Sequence, residues 1–242
     1  MNIMTFSTNE ELNQVGANII AGIVQTKPHA VLGLATGSTP VGIYQELIKQ
    51  YEKGYVSFKH VKSYNLDEYV GLPEDHPETY RSFMNKQLFD HIDIDKANTH
   101  VPNGNAADLD AECKRYDEEL FDHVIDMQFL GMGHNGHIGF NEPDDNLCCG
   151  THVVDLKEET LQANARFFDS IDEVPKQAVT MGVGTILKAN MIMLVVRGAE
   201  KAEIVHRALT GPITTQVPGS LLQTHPNVVV LLDKEAAKYF HE

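Results

Sequence analysis

Residues 30–47 read AVLGLATGSTPVGIYQEL, and this stretch decides the fold. A short apolar run at 30–35 leads into a turn rich in glycine and hydroxyl side chains, and an amphipathic helical pattern follows at once. An apolar run of this length, bounded by a turn and a helix, predicts one strand–turn–helix unit of a parallel sheet.

The same unit recurs along the chain. Further apolar runs lie at 61–66, 125–131, 191–196 and 227–232. Strands that alternate with helices predict the α/β class, here a doubly wound, mostly parallel open sheet (Rossmann-like) with helices on both faces. Ligands of such sheets bind beyond the carboxyl ends of the strands, so we expect the chemistry to lie just after strands.

Helical patterns complete the prediction. We expect helices at 8–26, 41–54, 78–90, 107–123, 157–166 and 202–209, and a last short helix after the final apolar run. The sequence contains no internal repeat, no low-complexity segment and no Ser/Pro-rich linker. We therefore expect a single domain over 1–242.

Composition restricts the partners. The 242 residues are 42% hydrophobic, which is enough for a proper core, and the formal net charge is −15. Nucleic-acid binding usually rests on many Lys and Arg contacts to phosphates, so this acidity argues against DNA or RNA as a partner. A small phosphate remains possible where a few cations or backbone N–H groups converge.

Compartment signals point to the cytoplasm. The N-terminal MNIMTFSTNEEL has neither the basic region nor the apolar core of a signal peptide. The longest apolar run, MIMLVV at 191–196, is far too short to span a membrane. The three cysteines, of which Cys148 and Cys149 are adjacent, do not form a disulfide framework.

The turn after the first apolar run is a candidate phosphate site. It consists of Thr36, Gly37, Ser38 and Thr39, and we expect Thr39 to be the N-cap and Pro40 the first residue of the following helix. The free N–H groups of a helix start favour an anion. The stretch matches neither nucleotide-binding glycine motif, and an ordinary capped turn explains it equally well.

Two cations could join this site. Lys201 stands at the start of a predicted helix, where a positive charge opposes the helix dipole and so hints at a bound anion. Arg166 lies on another predicted amphipathic stretch. A solvated lysine is the commoner explanation for Lys201.

Acidic residues follow the second apolar run. Asp67 and Glu68 close the strand expected at 61–66, a position where a rigid, partly desolvated carboxylate can act as a base. A helix or turn cap, or a solvated surface charge, explains such residues as well. Glu74 and Asp75 lie in a proline-rich loop and are expected to be solvated, and the spacing of a calcium loop is absent.

The stretch GMGHNGHIGFNEP at 131–143 gathers ionisable side chains on glycine-rich backbone. A metal site built from His134, His137 and Glu142 is disfavoured, because the glycines oppose a helix and the adjacent cysteines lack C-x-x-C spacing. A glycine-rich turn with surface histidines remains open. The third interpretation is acid–base chemistry by His137, oriented by Asn135 and Glu142.

Together, LGLATGSTP, YNLDEYVGLPEDHPETY and GHNGHIGFNEP resemble the glucosamine-6-phosphate deaminase family. The resemblance covers essentially the whole chain and includes VSFKHV, NGNAADLDAEC, ANARFF and AVTMGVGTI. It implies a cytoplasmic hydrolase of amino-sugar catabolism, in the degradation of N-acetylglucosamine and N-acetylneuraminate. Such an enzyme converts glucosamine 6-phosphate and water into fructose 6-phosphate and ammonia, with no cofactor and no metal.

The resemblance also implies residue roles. Asp67 would carry the C2 proton to C1, His137 would open the sugar ring, and Asn135 and Glu142 would orient the imidazole. The phosphate would bind Thr36, Gly37, Ser38, Thr39, Arg166 and Lys201. Residues 151–185 resemble the mobile lid of the family.

Two departures from the family qualify this expectation. Some members have aspartate where this chain has Asn135, and an amide cannot take a proton from an imidazolium. Glu142 would then carry the negative charge. The chain ends at Glu242, whereas the hexameric members activated by N-acetylglucosamine 6-phosphate continue further, so we expect a monomer or small homo-oligomer.

Three alternative functions remain. A 6-phosphogluconolactonase of the same superfamily would need no base at C2. A non-catalytic sugar-phosphate sensor would be expected to have lost Asp67 or His137, or to have gained a DNA-binding helix-turn-helix. An isomerase that keeps the nitrogen is the third.

Overall fold

The computed structural model describes residues 1–168 and 170–240, and these contain strands of two sheets. The strands are β1 (Asn2–Phe6), β2 (Val31–Leu34), β3 (Lys62–Asn65), β4 (Asp67–Tyr69), β5 (Thr99–His100), β6 (Met127–Leu130), β7 (His152–Asp155), β8 (Gln177–Thr180), β9 (Ile192–Val196) and β10 (Val228–Asp233). Seven of them form one sheet in the order β1-β10-β9-β6-β2-β3-β5, and every neighbouring pair is parallel.

Seven α-helices lie among the described residues. They are α1 (Asn9–Thr26), α2 (Ser38–Glu52), α3 (Tyr80–Gln87), α4 (Leu109–Asp122), α5 (Glu158–Asn164), α6 (Val183–Ile186) and α7 (Ala202–Thr210). The six helices predicted with bounds are therefore present, with ends that differ by a few residues. Local chemistry fixes the start of α1, where Thr8 and Glu11 form a reciprocal capping box.

The central strands are covered on both faces. Every residue of β2, β6 and β9 is buried, so apolar side chains pack above and below the sheet. This burial is typical of a doubly wound parallel sheet. The predicted fold class is confirmed.

The order of the strands reverses at β2 and β6. From β2 the chain runs outward to β3 and β5, and it then returns to place β6 on the other side of β2. The carboxyl ends of two such neighbours open a crevice, because their connections leave in opposite directions. The glycine-rich segments after Leu34 and Leu130 both begin at this crevice.

A small antiparallel sheet, in the order β4-β8-β7, was not predicted. Its strand β4 has only three residues, and two of these are acidic, so its pattern does not indicate a strand. The chain passes from the large sheet into the small one between Asn65 and Asp67. Asp67 therefore lies at the junction of the two sheets.

Three expectations about single elements were wrong. Residues 234–239 form turns instead of the expected last helix, and the Asp233 carboxylate accepts a hydrogen bond from the backbone N–H of Ala236 at 2.7 Å. Helix α2 begins at Ser38, so Thr39 is not its N-cap and Pro40 is not its first residue. The N-cap is Gly37, whose φ of 84° is a backbone conformation that side chains disfavour.

The edge strands β1 and β5 were also missed. Strand β1 has no fully buried residue and β5 has only two residues, so neither shows the continuous apolar run of a central strand. Among the described residues, no helix is both long enough and apolar enough to cross a membrane.

Candidate active site

A cavity of about 240 Å³ opens at the crevice between β2 and β6. Segments that follow β2, β3, β6 and β9 supply its walls. The predicted site residues that line it are Thr36, Gly37, Ser38, Thr39, Asp67, Asn135, His137, Arg166 and Lys201. Glu142 is not in the wall but lies directly behind Asn135 and His137.

One end of the cavity is positive. The backbone N–H groups at the start of α2 point their partial positive charge into it, and no side chain caps this helix end. Gly37 sets the turn that exposes them, and an added Cβ there would meet nothing within 4 Å. Glycine is therefore required at position 37 because of its backbone angle, and not because a side chain would lack space there.

Lys201 and Arg166 line the same cavity. Lys201 ends a 3-10 turn (Ala199–Lys201) after β9, and its Nζ donates to the carbonyl oxygen of Met132 at 2.5 Å. Burial lowers the pKa of Lys201, and the neighbouring positive charge of Arg166 lowers it further. The Arg166 guanidinium lies 4.7 Å from the centre of the Phe167 ring. Two cations and an uncapped helix start thus line one cavity, and these groups suit an anion.

Asp67 lies in the cavity wall and is only 7% exposed. Burial, together with the negative charge of Glu68, raises the pKa of Asp67 to about 8. Its neighbour has a structural role. The Glu68 carboxylate accepts the backbone N–H groups of Tyr80 and Arg81 and so caps the start of α3.

His137 is held by Asn135. The Asn135 Nδ2 donates to Glu142 Oε2 at 2.5 Å, which leaves Asn135 Oδ1 to accept from His137 Nδ1 at 2.8 Å. A carboxylate can only accept, so this chain of contacts fixes the hydrogen of the neutral imidazole on Nδ1. The remaining nitrogen, Nε2, is the one available to a ligand.

Glu142 supplies a buried negative charge next to this imidazole. Its side chain is 4% exposed, and Oε2 lies 3.4 Å from His137 Nδ1. Burial alone would raise the pKa of Glu142, but the adjacent His137 and hydrogen bonds from Thr160 and Asn135 lower it to about 2. The group is therefore a carboxylate at neutral pH and can stabilise an imidazolium.

The glycines of 131–143 make room for this arrangement. A Cβ on Gly133 would lie 2.1 Å from His137 Cε1, so the imidazole lies against the backbone there. Gly139 has a φ of 56°, and a Cβ on it would lie 3.0 Å from Thr180 Oγ1. In this stretch the backbone therefore lies close to the imidazole, which distinguishes it from a plain surface turn.

Several wall residues were not predicted. They are Tyr80, Glu159, Thr160 and Asn164, and His134 lines the cavity as well. Glu159, Thr160 and Asn164 belong to α5, and only the i, i+4 spacing of Thr160 and Asn164 could have indicated a shared face. Burial and the charge of Lys201 lower the pKa of His134. Within 1–168 and 170–240, no three His, Cys, Asp or Glu side chains are grouped to hold a metal.

Comparison with protein families supplies independent information. Residues 7–231 match the model of a family described as glucosamine-6-phosphate isomerases/6-phosphogluconolactonase. The chain is 52% identical over 239 residues to a glucosamine-6-phosphate deaminase of Clostridium perfringens (strain 13 / Type A), and the match covers 98% of this chain and 99% of the relative. A glucosamine-6-phosphate deaminase of Thermoanaerobacter pseudethanolicus is 49% identical over 238 residues, which cover 98% of this chain and 94% of that protein.

Solved structures show the same relationship. The structure of a monomeric glucosamine-6-phosphate deaminase matches with a TM-score of 0.95 and 49% identity, over 98% of this chain and 99% of that chain. A 6-phosphogluconolactonase from Trypanosoma brucei matches with a TM-score of 0.76 and 20% identity, over 99% and 98% of the two chains. The second likeness shows a shared fold alone.

The raised pKa of Asp67 predicts a pH-dependent gain in stability on its removal. Below its ordinary pKa of 3.8 the carboxyl is protonated in both the folded and the unfolded chain. At such pH its burial therefore lowers the free energy of unfolding only a little. As the pH rises towards about 8, unfolding releases its proton and stability is lost. Asp67→Asn should therefore raise the Tm by a few degrees at pH 8 and by much less at pH 4.

Thermal unfolding followed by circular dichroism at both pH values measures this difference. Asp75→Asn, which removes a carboxylate from an exposed loop, is the matched control and should leave the Tm unchanged at each pH. An equal effect of Asp67→Asn at pH 4 and pH 8 would contradict the burial of an ionisable Asp67.

Proposed function

The chain belongs to the family of glucosamine-6-phosphate isomerases and 6-phosphogluconolactonases, and on that premise we propose that it is a glucosamine-6-phosphate deaminase. Glucosamine 6-phosphate and water become fructose 6-phosphate and ammonia. Relatives with this name at about half identity over nearly the whole chain support the proposal. The observation that carries it is one cavity whose wall contains Asp67, His137 and the uncapped start of α2.

The positive end of the cavity binds the phosphate. The N–H groups at the start of α2 contact its oxygens, and Lys201 and Arg166 neutralise its charge. This group does not react, so its binding energy is available to position the rest of the sugar. The reacting carbons are thereby held near the acid–base residues.

His137 opens the pyranose ring. Its Nε2 takes the proton of the C1 hydroxyl, and the resulting imidazolium gives a proton to the ring oxygen. Glu142 stabilises this imidazolium. Asn135 holds the imidazole ring but takes no proton, because an amide oxygen is not a base. The product of this step is an aldehyde at C1, which makes the C2 proton acidic.

Asp67 then moves that proton. Its carboxylate takes the proton from C2, and the C–H electrons form the C1–C2 double bond of the enolamine. The C1 oxygen takes a proton from the ammonium group, which becomes the amine, and Asp67 then returns its proton to C1. The imine left at C2 adds water and loses ammonia, which balances the reaction. A carboxyl with a pKa of about 8 is a stronger base than a solvated one, and the ammonium group of the substrate favours its ionised form.

Residues 151–185 form the lid in this proposal. Strand β8 pairs with both β7 and β4, so movement would be confined to the segment between β7 and β8, which includes α5. Closure of α5 over the cavity would exclude water from the enolamine. The single-domain organisation over 1–242 is part of the same proposal.

Further properties follow from this function. We assign the enzyme to the hydrolases and to amino-sugar catabolism. We also assign it to the cytoplasm, because a doubly charged sugar phosphate does not cross membranes freely. The reaction as written needs no cofactor and no metal. The monomeric relative supports a monomeric state for this chain.

Ammonia release from glucosamine 6-phosphate, with fructose 6-phosphate measured in the same sample, tests the function. Equal amounts of the two products are expected. Hydrolysis of 6-phosphogluconolactone without ammonia release from the amino sugar would assign the chain to the lactonases instead.

Asp67→Asn should lower kcat by about 10³-fold, because the variant has no base for the C2 proton. The dissociation constant for the substrate should change by less than about threefold, since the phosphate contacts are intact. Ammonia release gives kcat and isothermal titration gives the affinity. The control is again Asp75→Asn, and near-normal turnover by Asp67→Asn would refute the role of this residue.

Lys201→Met should raise KM by about tenfold and change kcat by less than about threefold, because binding of a non-reacting phosphate is largely uniform binding. The same assay measures both constants. Lys188→Met removes an equal charge from an exposed lysine that does not line the cavity, and it should change neither constant. An unchanged KM for Lys201→Met would exclude this lysine from the phosphate site.

A further inference from the structure

Helix α5 contacts the carboxylate behind the catalytic histidine. The Thr160 hydroxyl donates a hydrogen bond to Glu142 Oε1, and Thr160 is only 7% exposed. The other oxygen, Oε2, accepts from Asn135. The two oxygens of Glu142 are therefore divided between the loop that carries His137 and a helix of the lid.

A second contact joins the same two segments. Lys157, at the N-cap of α5, donates from Nζ to the carbonyl oxygen of Pro143 at 2.5 Å. This contact ties α5 to the chain immediately after Glu142 but reaches neither of its oxygens. Lys157 therefore attaches α5 without touching the carboxylate, whereas Thr160 contacts the carboxylate directly.

From this geometry we propose that Thr160 is a positioning residue, which holds Glu142 in the orientation that Asn135 and His137 require, and does so only while α5 is closed over the cavity. The proposal rests on the deaminase function and deepens it. Ring opening by His137 then becomes efficient only after the lid has closed on the substrate.

The physical reason is the number of donors around a buried carboxylate. Glu142 has donors at both oxygens while α5 is in place, and these fix the plane of the carboxylate. When α5 moves away, Oε1 loses its donor and the carboxylate can rotate about its last torsion, which is a soft one. Asn135 and the imidazole that it holds are then no longer oriented by a fixed carboxylate.

Thr160 also lines the cavity, so a direct contact with the substrate is the competing explanation. A direct contact would act whether or not Glu142 is present. A positioning role requires Glu142, since without that carboxylate there is nothing for the hydroxyl to orient. The dependence of one residue on the other therefore distinguishes the two roles.

The first test compares three variants by ammonia release. Thr160→Val keeps the shape and removes the hydroxyl, and it should lower kcat about tenfold with KM within about twofold of the native value. Thr160→Ser retains the hydroxyl and should keep kcat within about threefold. Lys157→Met removes the other attachment and should change kcat less than Thr160→Val does. A Thr160→Ser variant as slow as Thr160→Val would overturn the proposal.

The second test is a double-mutant cycle. In a Glu142→Ala background, Thr160→Val should lower kcat by less than about twofold, because its effect passes through the missing carboxylate. Lys157→Met should have the same fold effect in the native and Glu142→Ala backgrounds. An effect of Thr160→Val that stays near tenfold in both backgrounds would overturn the proposal in favour of direct substrate contact.

Ammonia release by the native enzyme distinguishes failure of this proposal from failure of the function on which it rests. No ammonia release by the native protein would refute the deaminase function. Normal release by the native protein together with normal release by Thr160→Val would refute the positioning role alone.

Discussion

The structure depends on how the chain leaves one sheet and enters the other. The backbone of Leu66 joins them: its N–H donates to Leu34 in the large sheet at 3.2 Å, and its carbonyl accepts from Met181, which follows the small sheet, at 2.7 Å. Asp67 is the next residue, so it cannot withdraw towards water. Because a carboxylate is costly to bury, this constraint raises its pKa and creates a base.

The cavity that Asp67 lines also contains groups of opposite charge. Lys201 and the start of α2 supply positive charge to the cavity wall, and Asp67 supplies an acidic group to the same cavity. A substrate that has both a phosphate and an ammonium group matches this combination. Glu142 is a second buried carboxylate, but the adjacent His137 and two hydrogen-bond donors keep its pKa at about 2, so the two acids differ in state because they differ in partners.

Sequence patterns predicted the central strands of the large sheet because β2, β6 and β9 are buried on both faces and so appear as continuous apolar runs. They failed for β4, where Asp67 and Glu68 are held by pairing with β8 and not by their own propensity. Asp67, His137 and Glu142 were predicted as site residues from residue type and position after strands. The contact of Thr160 with Glu142 spans 18 residues and depends on where α5 folds, which no local pattern encodes.

The protonation of Asp67 is the measurement that tests this account most directly. Protein labelled with ¹³C at the aspartate carboxyls can be titrated by NMR, and the Asp67 resonance is identified by its loss in Asp67→Asn. The account predicts that this carboxyl titrates near pH 8, well above its ordinary pKa of 3.8. Titration near the ordinary value would show a solvated carboxylate at this position and would contradict a base created by burial at the junction of the two sheets.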